Sequence, residues 1–173
     1  METMQVNSNW QNRTTVKKGD IGESLVNEYL IKNNYIPYSP DAGGAHPFDR
    51  LVASRDKRTI FIADSKAKAK RKYYPDTGIQ IKHYEEYKYI QEKYSIEVFI
   101  FFVDEESMTI YGNFLLKLNA DAVIFHKGRH IKYPLEQNGI IYFPLAHMKH
   151  IANIPSDKAE AMKAYTTKKQ EYK

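Results

Sequence analysis

Apolar residues recur along this chain with two periods, and the switches between them set the order of the elements. Over residues 20–33, Ile21, Leu25, Val26, Tyr29 and Leu30 fall on one face at the helical period. They predict a first helix, with Asp20 placed to cap it. Residues 35–38 read as a short strand, confined to a sheet edge by Pro37. Two prolines and two glycines make residues 40–47 a loop. Strand-like runs at 48–53 and 59–66 flank the polar turn Ser54-Arg55-Asp56-Lys57 and predict a hairpin. A second helix is expected from Thr77 to about residue 94, with Ile81, Tyr84, Tyr87 and Tyr94 on its greasier side. Residues 97–104 and 108–114 read as two more strands, and 122–125, 131–133 and 140–143 as shorter ones. Residues 156 to about 171 suit an amphipathic helix capped by Ser156.

This order predicts an α/β fold, a central mixed sheet flanked by helices. The second helix would make the crossover between two parallel strands. The expected organisation is a flexible N-terminal arm at 1–16 anchored only by Trp10, a core at 17–118, a β-rich extension packed on it at 119–155, and a C-terminal basic helix at 156–173. Lysine and arginine outnumber aspartate and glutamate by 26 to 21, a net charge of +5 that admits nucleic acid or an anionic membrane as partner. The longest apolar run, 98–103, has six residues, far short of the ~18 of a membrane span. No membrane partner is expected. Cysteine is absent, which excludes disulfides, thiolate metal sites and cysteine nucleophiles. The polar N-terminus has no apolar signal core, so a cytoplasmic location is expected. Gly43-Gly44 lacks the spacing and the Lys-Ser/Thr of a phosphate loop, and no G-x-S-x-G elbow occurs.

The hairpin carries the chemistry. Side chains alternate along a strand, so Ile60, Ile62, Asp64 and Lys66 share one face. Asp49 stands near the start of the preceding strand, and antiparallel pairing brings it within a residue or two of Asp64. Two carboxylates and one ammonium then converge at one end of the hairpin. A divalent cation relieves the repulsion between close carboxylates, and an all-oxygen donor set without cysteine favours Mg²⁺ or Mn²⁺ over zinc. Such an ion can activate water and stabilise charge on a phosphoryl oxygen, and a nearby ammonium can assist. This is chemistry for phosphodiester hydrolysis.

Pro47-Phe48-Asp49 followed by Asp64-Ser65-Lys66 resembles the signature of the PD-(D/E)xK nuclease superfamily. Gly19-Asp20-Ile21-Gly22-Glu23 is similar to the G-x-x-G-E form of its resolvase-like and exonuclease-like members. Gln80 and Tyr84 match a Gln and a Tyr four apart that some branches carry on the helix after the lysine strand. A Phe between Pro47 and Asp49 is the visible departure from the pattern. The resemblance spans about residues 18–118. It implies a restriction-endonuclease-like core and a Mg²⁺- or Mn²⁺-dependent deoxyribonuclease, with DNA as partner and a homodimer as the common assembly. It implies that Asp49 and Asp64 ligate the metal, that Glu23 completes its shell directly or through water, that Lys66 acts in catalysis, and that Gln80 supports the site or touches the DNA backbone.

Other readings stay open at particular residues. Glu23 stands three after Asp20 and Gln80 three after Thr77, so each also suits a capping-box return. Lys66, Lys68, Lys70, Arg71 and Lys72, followed by Tyr73 and Tyr74, read either as a solvated charge run or as cations and rings for phosphates, sugars and bases. Lys158, Lys163, Lys168, Lys169 and Lys173 give the last helix a basic side. The histidine pairs His147/His150 and His126/His130 make no convincing metal site, and His46 adjoins the motif. The rival to an enzyme is a catalytically inactive DNA-binding module on the same fold. A third class is an interaction protein with a coincidental acidic cluster.

Overall fold

A computed structural model describes residues 13–39, 47–56 and 58–166. The expected arm up to residue 12 with Trp10, the loop with Gly43, Gly44 and His46, and Lys168, Lys169 and Lys173 lie outside the described residues. Helix α1 (Thr14–Lys32) is followed by β1 (Tyr35–Tyr38), β2 (Arg50–Ser54), β3 (Ile60–Lys66), β4 (Asp76–Gln80), α2 (Ile81–Tyr94), β5 (Glu97–Asp104) and β6 (Thr109–Phe114). The chain continues through α3 (Leu115–Leu118), β7 (Ala122–His126), β8 (Arg129–Tyr133), β9 (Leu135–Gln137), β10 (Ile140–Pro144), β11 (Lys149–Asn153) and α4 (Ser156–Ala164).

The central sheet runs β1-β2-β3-β5-β6-β11. Strands β3 and β5 are parallel, and the other neighbours are antiparallel. Strand β4 and helix α2 connect the parallel pair, as the expected crossover requires. Every residue of β5 after Glu97 is buried, which is why its sequence is a continuous apolar run and not an alternating one. Alternation along β3 splits the core in two. Phe61 and Ala63 join Phe101, Val103 and Ile110 beneath α1 and α4, which contribute Leu25, Val26, Leu30, Ala159 and Met162. Ile62 joins Val98, Ile100 and Phe102 on the opposite face, covered by Tyr87 and Ile90 of α2, by α3, and by Ile79, Ile141 and Phe143 of the smaller sheet β4-β10-β9. This is a mixed α/β layer structure of the expected class.

The last third is woven into these layers. Strand β10 pairs with β4, and β11 closes the central sheet against β6. The strands expected at 122–125, 131–133 and 140–143 form, and β9 and β11 are additional. Hairpin β7–β8 forms a separate two-stranded sheet.

Three boundaries differ from expectation. Helix α1 starts at Thr14, so the arm cannot reach residue 16, and Asp20 is an interior helix residue instead of the cap. Residues 76–80 are a strand and not the first turn of the second helix, because they pair with β10. Thr77 is therefore buried in a sheet, and Gln80 sits at the N-cap of α2 with an extended backbone and no side-chain cap bond. Ser156 begins α4 without capping it, Pro155 occupies the cap position, and the helix ends at Ala164 instead of reaching residue 171.

Candidate active site

The register of the β2–β3 hairpin places Arg50 opposite Ala63. Asp49, one residue before Arg50, thus stands at the level of Asp64. Its Oδ2 accepts hydrogen bonds from the Ser65 backbone N–H at 2.7 Å and the Ser65 hydroxyl at 2.8 Å. Both bonds fix the carboxylate across the end of the hairpin. Asp64 is 2 % exposed. Lys66 Nζ lies 2.7 Å from its Oδ2, an ion pair within the buried end of the hairpin. Burial pushes the Asp64 carboxyl up to about 6; Lys66 opposes the rise, and the Asp49 charge adds to it.

Helix α2 closes the site from the other side. The buried Tyr87 faces Asp64, and its hydroxyl is pushed far up, first by burial and then by that carboxylate. Lys66 Nζ stands 5.8 Å from the centre of the Tyr87 ring. One turn earlier, His83 has its ring 6.3 Å from that of Tyr87. Burial lowers the His83 pKa, with the Lys66 charge acting in the same direction.

Glu23 comes from α1. Gly22 lets the helix approach closely, since a Cβ there would lie 3.2 Å from Ala67 Cβ and 3.7 Å from Val103. Arg50 Nη1 is 3.7 Å from Glu23 Oε2, and Arg50 Nε donates to Asn27 Oδ1 at 3.1 Å, so one guanidinium ties β2 to α1. Partial burial raises the Glu23 pKa, with Asp49 the next cause; Arg50 opposes it, and Asp20 and Asp64 add to it. Glu23 therefore lies within the field of both hairpin carboxylates. Among the described residues, no three His, Asp or Glu side chains stand close enough to hold a metal as they are placed. The donors nevertheless fit a hard cation: all are carboxylate oxygens, the charge of Asp49 raises the cost of charging Asp64, and Glu23 lies in the field of both.

Gln80 is the exposed last residue of β4 and the N-cap of α2, and is not a helix-face residue four before Tyr84. Tyr84 is half-buried, its ring 6.1 Å from that of Phe143. The basic run divides. Lys68 Nζ donates to Gly78 O at 2.9 Å. Arg71 is committed inward, with Nε and Nη2 each 2.5 Å from the two oxygens of the fully buried Asp76 and its guanidinium 3.8 Å from the centre of the Tyr142 ring. Lys70, Lys72 and Tyr73 are exposed. Ser65, Arg50, Tyr87 and His83 were not among the expected site residues. The four-residue spacing of His83 and Tyr87, which puts both on one helix face, is the signal that could have found two of them.

No protein-family model and no curated protein matches the sequence. Solved structures do. A Holliday junction resolvase, Hjc, from the archaeal hyperthermophile Archaeoglobus fulgidus aligns with 82 % of this chain and 99 % of its own, at 11 % identity and a TM-score of 0.52. The fold is restriction-endonuclease-like. D212, a nuclease from a fusellovirus, aligns with 84 % of this chain and 87 % of its own, at 12 % identity and a TM-score of 0.43.

Proposed function

We propose that the chain is a metal-dependent nuclease that hydrolyses DNA phosphodiester bonds, acting as an endonuclease on branched or otherwise structured DNA. The observation that carries this reading is the meeting of Asp49, Asp64 and Lys66 at one end of the β2–β3 hairpin. Likeness to a fold that the Hjc resolvase also has supports the choice of substrate. Asp49 and Asp64 would hold Mg²⁺ or Mn²⁺, with Glu23 completing the set. When bound, the metal supplies a polarised phosphoryl oxygen and a water of lowered pKa.

The chain's own groups do the positioning. Ser65 holds Asp49, Tyr87 backs Asp64, and Arg50 steers Glu23. Lys66, on the same strand face as Asp64, supplies a cation for charge that develops on the phosphate. Gln80, Tyr84, Lys68, Lys70 and Lys72 would meet the DNA backbone, and Tyr73 would pack on an exposed base; Arg71 would act by shaping their loop. A cytoplasmic homodimer that offers two such sites to two strands completes the reading, and light scattering coupled to gel filtration checks the dimer.

The test uses supercoiled plasmid and a four-way junction with Mg²⁺, Mn²⁺ or EDTA. Cleavage should vanish in EDTA and fall about 100-fold or more in Asp64→Ala and Lys66→Ala. Binding without cleavage under every metal condition would make the chain an inactive DNA-binding module instead.

A further inference from the structure

A second site lies away from the carboxylates. Strands β7 and β8 are joined by a tight turn in which Lys127 and Gly128 both have positive φ, 49° and 78°, the pattern of a type I′ hairpin. A two-stranded ribbon is marginal alone, but this one is tied down at both ends. Tyr133 donates its hydroxyl to Asp76 at 2.7 Å, and His126 Nε2 donates to Tyr73 O at 2.9 Å. Between this hairpin and the loop that leaves β3 is an open cavity of about 640 Å³, lined by Tyr73, Tyr74, Lys127, Arg129, His130 and Lys132 among others. That volume lies within the ~300–1,000 Å³ typical of ligand sites.

The lining carries three cations and no carboxylate. Of the acids around it, Asp121 is exposed and stands 3.8 Å from Lys132 Nζ, and Asp76 is fully buried and held by Arg71 and Tyr133. Aromatic rings alternate with the charges. Lys127 Nζ is 5.4 Å from the centre of the Tyr73 ring, and the Arg71 guanidinium, fixed by Asp76, stands 4.3 Å from that of Tyr74. Tyr73 is 63 % exposed, with its ring available to a ligand.

We propose that this cavity binds an unpaired nucleotide of a nucleic-acid strand, with its base against the tyrosines and its phosphates on Lys127, Arg129 and Lys132. The chemistry selects this ligand. Flat rings beside cations match a π-face beside a phosphate. A duplex can offer a base to a concave site only by flipping it out of the stack, at a cost of about a few kcal/mol that an unpaired strand does not pay. Tyr73 stands seven positions after Lys66, a reach of at most about 25 Å, less than one duplex turn of ~34 Å. The inference rests on the nuclease reading for its ligand class. It adds that the preferred substrate carries a single-stranded stretch within one turn of the cut.

The test measures binding of the full chain in EDTA by fluorescence anisotropy. The probes are a labelled single strand, a duplex with a single-stranded tail and a blunt duplex. Tyr73→Ala should weaken the single strand and the tailed duplex about tenfold. Lys127→Glu with Arg129→Glu should do the same and make the salt dependence shallower by about 1.4 in log–log slope. The blunt duplex should change little in either variant, and 2-aminopurine in the tail should be quenched by the wild type and recover in Tyr73→Ala. Circular dichroism confirms that each variant is folded. Unchanged affinity for the tail, or an equal loss on blunt and tailed DNA, overturns the proposal. Metal-dependent cleavage is scored separately. If the wild type binds tails selectively but never cuts, the nuclease reading falls and the pocket stands. If it cuts and the variants bind tails normally, the pocket falls alone.

Discussion

Asp64 is a carboxylate in a place that water does not reach, and the molecule keeps it there at a cost. Its folded pKa of about 6 lies above the ordinary 3.8, so between these values the folded state holds a proton that the unfolded state has released. Stability contributed by this group is therefore greatest at low pH and is lost as pH rises from about 4 to 6. Urea unfolding in EDTA, with the wild type compared against Asp64→Asn, isolates the effect. The difference in stability should shift by about 2 kcal/mol in favour of the variant between pH 4.5 and pH 7.5. A cation competes with the same proton, so Mn²⁺ affinity should fall with each pH unit below about 6, which titration calorimetry reads directly. At this scale the sequence was informative where strand alternation and hairpin register suffice: Asp49, Asp64 and Lys66 needed nothing else. Ser65, Arg50 and Tyr87 were not legible, because each acts through a contact whose meaning appears only once α1, α2 and the hairpin are packed together.

The packing of α1 on the sheet decides where Glu23 sits, and Gly22 sets that distance. A β-branched side chain at position 22 would press on Ala67 and Val103, which lie on or beside the paired strands β3 and β5. Gly22→Val should cost about 1–3 kcal/mol, as overpacked helix contacts do. It should reduce cleavage by more than its unfolded fraction explains, because Glu23 is displaced from Asp49. Equal losses of folded protein and of activity would show that Glu23 has no part in the site. Element boundaries were the least legible feature, and the reasons are non-local. Thr77 and Gln80 have the spacing of a helix start, yet strand pairing with β10, sixty or more residues away, overrides it. Gly78 belongs to that pairing, since a Cβ there would fall 2.2 Å from Ile141 O. Likewise α1 extends back through Gly19 to Thr14, where Lys18 Nζ meets the buried Glu105 at 2.5 Å. No local pattern announces that ion pair.

Across the whole molecule, Arg71 joins parts that the chain order keeps apart. Asp76 at the start of β4 is fully buried and accepts from Arg71 through both oxygens and from Tyr133 at the end of β8, while Arg71 also donates to Gln137 of β9 at 2.9 Å. One carboxylate thus ties the basic loop, the small sheet and the β7–β8 hairpin together. Removing the guanidinium would leave a buried charge with a single neutral donor. Arg71→Ala should therefore destabilise the fold by about 3–5 kcal/mol. Arg71→Lys should recover little of it, because an ammonium cannot fill the two-pronged geometry. The exposed neighbours should behave in the opposite way. Lys70→Ala and Lys72→Ala should leave stability within about 0.5 kcal/mol of the wild type, yet each should make the salt dependence of duplex binding shallower by about 0.9. Urea unfolding and salt-titrated anisotropy on these four variants separate the roles. If Arg71→Ala is as stable as the wild type and loses only DNA affinity, the residue is a phosphate ligand, and the hairpin, with the pocket it forms, is held in place by something other than Asp76.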